Sequence, residues 1–89
     1  MKNKLVLSLG SNLGNRYAYL IQAIAAINKS FHTTSTAASF YETPPWGDTN
    51  QSTFINTALV LYTSHSPAKC LLLLQNIEHT IGRTKSRKW

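Results

Sequence analysis

Apolar positions fall in successive runs along the chain, and the period of each run predicts its element. Leu5, Val6, Leu7 and Leu9 make a short apolar run over 4–9, broken by Gly10-Ser11-Asn12, which predicts a buried strand ending in a tight turn. From Arg16 to Lys29, residues Tyr17, Leu20, Ile21, Ile24, Ile27 and Asn28 fall near one side at helical spacing, with alanines at 18, 23, 25 and 26. This predicts an amphipathic helix, capped by Asn12 or Asn15 and packed on a sheet. His32 to Glu42 is rich in Thr, Ser and aromatic residues, which favours a pleated chain. Thr53 to Thr63 puts Phe54, Asn56, Ala58, Val60 and Tyr62 on one face and Ile55, Thr57, Leu59 and Leu61 on the other. Both faces carry apolar residues, so a central strand is expected. Ser66 and Pro67 form a helix start, with the helix running to about Ile81 before Gly82 ends it and with Cys70, Leu73, Leu74, Ile77 and Ile81 as its buried stripe.

The order is β-α-β-β-α, an α+β chain read as one domain over residues 1–89. A chain of this length buries only about 60% of its unfolded surface, so it has little stability to spare. Composition adds the charge. Lys and Arg outnumber Asp and Glu by nine to three, a net charge of +6, which asks for an anionic partner without saying which. Cys70 is the only cysteine, so no intramolecular disulfide exists, and its place among leucines predicts a buried thiol in a reducing compartment. The N-terminal apolar run stops at Ser8, and no segment has the length needed to span a bilayer; the expectation is a cytoplasmic protein that engages no membrane.

The stretch from Ser39 to Asn56, SFYETPPWGDTNQSTFIN, is the candidate for chemistry. Pro44 and Pro45 have no backbone N–H and push Thr43 into an extended conformation, which makes a stiff loop with Trp46 and Gly47 at its tip. Beyond it, Phe54 and Asn56 are two apart on a strand and share a face. A flat heterocycle needs a surface to lie on and an edge partner that both donates and accepts, and a ring beside a carboxamide supplies the two. The Thr43 carbonyl and hydroxyl complete such an edge. The plainer reading is a hairpin turn followed by a core Phe and a capping Asn, and the spacing alone leaves both open.

Elsewhere the signals are weaker. GSNLGN has two glycines but lacks the lysine and hydroxyl of a phosphate loop and the spacing of a dinucleotide fingerprint, so strand-to-helix punctuation is its expected role, with N–H groups at the helix start lining a ligand site as the alternative. Gln75 and Glu78, three apart, lie at the margin of the second helix's buried stripe, as a cleft-facing pair or as solvated boundary residues. The tail GRTKSRKW concentrates four positive charges between Arg83 and Lys88, enough to hold a polyphosphate by charge-assisted hydrogen bonds or to stay solvated. His32, His65 and His79 match no metal-ligand spacing, and the only acidic residues are Glu42, Asp48 and Glu78, so no protein metal site is assigned.

Taken together, GSNLGNR at 10–16, SFYETPPWG at 39–47, FIN at 54–56, QNIE at 75–78 and GRTKSRKW at 82–89 resemble, in order and spacing, the first half of 6-hydroxymethyl-7,8-dihydropterin pyrophosphokinases. The resemblance implies transfer of pyrophosphate from ATP to the hydroxymethyl of a reduced pterin in folate biosynthesis, with two Mg²⁺ ions. It implies that Thr43, Pro44, Trp46, Phe54 and Asn56 line the pterin pocket, with Phe54 stacking and Asn56 reading the ring edge. It places Gln75 and Glu78 on the nucleotide side, and Arg83, Lys85 and Trp89 in a mobile catalytic loop; Lys85 stands where Arg is common. In the family the tryptophan is followed by further segments that include the Asp-x-Asp strand for magnesium, so the 89-residue chain alone is expected to be catalytically incompetent. The implied fold is a ferredoxin-like α/β sandwich without its downstream strand and C-terminal part. The expectation is either that the 89 residues are a fragment of a longer chain, or that a second copy shields the open sheet edge.

Two other functions compete with this one: a pterin-binding or regulatory domain without catalysis, and a small basic RNA-binding module. The second is disfavoured because the basic residues crowd one tail instead of striping a face, so nucleic acid is not an expected partner.

Overall fold

The computed structural model describes residues 2–12, 14–44 and 53–82. Its elements are β1 (Asn3–Ser11), α1 (Arg16–Phe31), β2 (Thr36–Ala37), β3 (Tyr41–Thr43), β4 (Phe54–Thr63) and α2 (Pro67–Gly82). The sheet is antiparallel throughout, with β4 central: β1 pairs along one side of it, and β2 and β3 pair in turn along the other. This is the expected α+β chain with its second strand split in two, and the order β1-β4-β2 is consistent with a ferredoxin-like sheet. Among the described residues β1 is paired on one side only.

Both helices lie on one face of the sheet. Ile55, Thr57, Leu59, Leu61 and Thr63 of β4 are buried beneath them, together with Leu9 of β1, Leu20, Ala23, Ile27 and Phe31 of α1, and Cys70, Ile77 and Ile81 of α2. Ala23 is fully buried in the middle of this stripe and lets α1 come close. That shifts the buried side of α1 from the expected one: Tyr19 is buried, while Tyr17 and Ile21, expected inside, are more than half exposed. An apolar cavity of about 140 Å³ lies where Leu7 and Leu9 meet Ile27, Leu74 and Ile77. Leu73 and Leu74 of the expected α2 stripe are only partly buried.

The caps follow local chemistry. Asn15 accepts from the Ala18 N–H at 3.0 Å, and Ser66 Oγ accepts from the Lys69 N–H at 3.2 Å. The first helix runs two residues past Lys29 and ends at His32, which stands in the left-handed region (φ 51°) with its N–H on the Asn28 and Lys29 carbonyls. His32 therefore closes a helix, where the sequence pattern predicts the start of a strand; Ser35 Oγ donating to Asn28 Oδ1 at 2.6 Å ties down the turn that follows. At the other end, the strand expected to stop at Leu9 runs on through Gly10 and Ser11, opposite Asn56 and Ile55, and the left-handed turn residue is Gly14 (φ 59°).

Candidate functional site

Among the described residues, the opposite face of the sheet has no helix on it. Because partners in an antiparallel ladder share a face, Lys4, Val6, Ser8 and Gly10 of β1 lie with Tyr62, Val60, Ala58 and Asn56 of β4 on that side, joined by Thr36, Tyr41 and Thr43. Phe54 and Asn56 are half-buried there, outside the helix-covered core. The core-Phe reading of this pair is thereby excluded.

Around Asn56 the geometry is specific. Its Nδ2 donates to the Thr43 hydroxyl at 2.8 Å and, at longer range, to the Tyr41 carbonyl at 3.4 Å. The donor side of the amide is thus directed along the β3–β4 ribbon, while Oδ1 lies over Gly10. A Cβ on Gly10 would stand 2.9 Å from that oxygen and 3.6 Å from the Phe54 ring, so the bare glycine makes the room in which the amide sits. Thr43 pairs directly with Phe54 and Tyr41 with Asn56, which gathers a ring, an amide and a hydroxyl at the mouth of the ribbon from which the proline loop departs. Pro44 is exposed at the start of that loop.

On the helix side the same mouth is clasped. Arg16, the first residue of α1, donates from Nη1 to the Thr53 carbonyl (2.9 Å) and hydroxyl (2.7 Å) and pairs with Glu42 at 3.4 Å, while the Thr53 hydroxyl donates to Glu42 at 2.8 Å. Tyr17 stacks on Phe40 with ring centroids 5.7 Å apart and planes 4° from parallel. Both contacts draw the strand before the loop towards the start of α1. Sequence reading gave no site role to Gly10, Arg16 or Thr53; Arg16 stands inside the motif GSNLGNR, where its position after the capping Asn15 was the available signal.

Of the remaining candidates, the two described ones stand apart from this cluster. Gln75 is exposed and Glu78 half-buried on α2, in the layer on the other side of the sheet. Trp46, Arg83, Lys85 and Trp89 lie outside the described residues. For a magnesium pair, the described residues do not fit: no group of three His, Cys, Asp or Glu side chains comes together among them, and the Glu42 carboxylate is taken up by Arg16 and Thr53. Among the described residues no helix is long and apolar enough to cross a membrane. Cys70 is buried and unbridged, as expected, with Sγ 3.9 Å from the His65 carbonyl.

A ring, an amide and a hydroxyl thus meet on the far side of a helix-backed antiparallel sheet, in a chain of the α+β class. Comparison with known sequences makes this narrower. The profile of 7,8-dihydro-6-hydroxymethylpterin-pyrophosphokinase (HPPK) matches residues 6–89, and the chain belongs to that family. It is 41% identical over its whole length to the 2-amino-4-hydroxy-6-hydroxymethyldihydropteridine pyrophosphokinase of Bacillus subtilis, covering 54% of that protein. The enzymes of the same name from Methylorubrum extorquens and Aquifex aeolicus are 38% and 36% identical over 93% of the chain, which covers 53% and 51% of them. A mitochondrial folate synthesis bifunctional protein of Pisum sativum is 37% identical over 91% of the chain. The chain spans about half the length of the pyrophosphokinases it matches.

Proposed function

We propose that this chain supplies the pterin side of a pyrophosphokinase site, which transfers pyrophosphate from ATP to 6-hydroxymethyl-7,8-dihydropterin in folate biosynthesis. The observation that carries the reading is the placement of Phe54, Asn56 and Thr43 on one open face, with the amide locked to the hydroxyl at 2.8 Å. In this reading Phe54 lies under the ring, Asn56 Oδ1 accepts from the ring's N–H edge, and Thr43 fixes the amide so that little rotamer freedom is lost on binding. Pro44 and Trp46 wall the pocket from the loop. Gln75 and Glu78 meet the nucleotide, and Arg83, Lys85 and Trp89 close over the phosphates.

Magnesium, when bound, offsets charge on the moving phosphoryl groups. This sequence has three acidic residues, and Glu42 is held in the Arg16 clasp, so the chain alone is expected to bind pterin without turning it over. The single-sided β1 edge suits a second copy of the chain, and the lone reduced thiol suits the cytoplasm.

Titration with 6-hydroxymethylpterin, followed by its fluorescence, tests the pocket. Asn56→Ala is expected to weaken binding by about 1–3 kcal/mol, because it leaves the ring's polar edge without its partner. Equal affinity for both chains would remove Asn56 from the site.

A further inference from the structure

We propose that Thr57, buried on the helix-covered side of β4, is the positioning residue that decides which side chains of β3 face the ligand. Its ligand comes from the functional reading above; its geometry rests on strand register and hydrogen bonding, independent of that reading. Along β2, Thr36 pairs with Val60 and Ala37 with Leu59. Continued without a break, that register brings Phe40 opposite Asn56 and Glu42 opposite Phe54. The observed partners are instead Tyr41 with Asn56 and Thr43 with Phe54. One extra residue therefore enters the strand between β2 and β3.

Its place can be read from two hydrogen bonds. The Ala38 N–H still donates to the Ala58 carbonyl at 2.8 Å, so the β2 register persists to Ala38, and the surplus falls at Ser39 and Phe40 opposite Thr57. There the Ala38 carbonyl is met by a side chain: Thr57 Oγ1 donates to it at 2.8 Å. This is a β-bulge, in which two residues oppose one and the strand beyond changes face. Thr57 is fully buried, so its hydroxyl must find a partner within the fold, and the Ala38 carbonyl supplies one.

The change of face has a direct result. Phe40 and Glu42 go to the helix side, where they meet Tyr17 and Arg16, and Tyr41 and Thr43 go to the open side beside Asn56. Without the bulge, a carboxylate would stand beside Phe54 and the amide would lose the hydroxyl that holds it. A threonine on the far side of the sheet thus sets the chemistry of the ligand face.

The test compares the unmutated 89-residue chain with Thr57→Val, Thr57→Ser, and Thr57→Val combined with deletion of Ser39. Deleting Ser39 removes the surplus residue, so an unbroken ladder from Thr36–Val60 arrives at Tyr41–Asn56 and the hydroxyl has no break to pin. Without ligand, the cross-strand Tyr41–Asn56 contact is expected by NMR in the unmutated chain, in Thr57→Ser and in the deleted variant, and its loss is expected in Thr57→Val. Affinity for 6-hydroxymethylpterin is expected to fall about tenfold in Thr57→Val and to return to within about threefold in the other two. A folded Thr57→Val chain that keeps the contact overturns the proposal, as does a deleted variant that binds no better than Thr57→Val. Should Thr57→Val fail to fold, the deletion background decides: with Ser39 absent, the chains with and without Thr57→Val are expected to share the contact, and its loss on substitution overturns the role. An unmutated chain that shows the contact but ignores the pterin overturns the functional reading, and the ligand-free contacts then judge Thr57.

Discussion

The two faces of β4 are made from one stretch of ten residues and have opposite duties. Ile55, Thr57, Leu59, Leu61 and Thr63 are buried under the helices, while Phe54, Asn56, Ala58, Val60 and Tyr62 stand on the open side with Tyr62 half exposed. Alternation alone does not separate them, since both sets contain apolar residues and side chains able to hydrogen-bond, Thr57 and Thr63 on one face and Asn56 and Tyr62 on the other. The difference lies in what Thr57 and Asn56 meet. Thr57 satisfies a backbone carbonyl and disappears into the fold; Asn56 is held by a side chain and keeps an edge towards the open face. Burial of apolar surface makes one face stabilising, and in the proposed pterin reading a restrained polar group makes the other selective.

Damage to the covered face should be the more severe. Leu59→Ala removes a fully buried side chain that sits between the sheet and the helices, and is expected to cost about 2–5 kcal/mol. For a domain this small, that is most of its stability, and urea denaturation should show a midpoint near zero or no folded baseline. A loss below about 1 kcal/mol would mean that the helices do not seal this side of the strand.

An intermediate effect is expected at the boundary between the two duties. Gly10→Ala puts a methyl 2.9 Å from Asn56 Oδ1, close enough that the amide must move, and the backbone φ at this position is not one that demands glycine. Pterin affinity should fall by about 1–2 kcal/mol, the scale of a displaced hydrogen-bonding group, while thermal stability changes little because the methyl lies on the open face. Reduced affinity together with a large drop in melting temperature would place Gly10 in the fold and not in the site.

These contrasts also show what was legible beforehand. The face shared by Phe54 and Asn56 follows from a period of two, and the helices from caps at Asn15 and Ser66, so the architecture was within reach of local chemistry. The bulge was not, because a surplus residue leaves the composition of a strand unchanged and shows only in its pairing; His32 to Glu42 therefore read as one strand where β2 and β3 stand. Gly10 read as punctuation because its reason for being bare lies across the sheet, in Asn56. Ile21 read as core because helical spacing does not reveal that the small Ala23 takes the centre of the contact. Arg16 read only as the first residue of a helix, and only the folded chain brings Thr53 and Glu42 to it.

The smallest effect tests whether the open face is open in solution. Val6 is 60% exposed and pairs with Val60 in the middle of that face, with exposed Tyr62 two residues further along β4. On an isolated chain, Val6→Thr keeps the β-branched shape and exchanges a methyl for a hydroxyl that water can reach, so stability should stay within about 0.5 kcal/mol. If a second copy covers the sheet, the same hydroxyl is buried against an apolar partner, and the cost rises to about 1–3 kcal/mol. Stability must then also depend on protein concentration, because folding and association are linked. Urea titrations of both chains at two concentrations tenfold apart separate the cases: coincident curves confine the stabilising duty to the helix-covered face, and curves that shift with concentration give part of it to the face that carries Asn56.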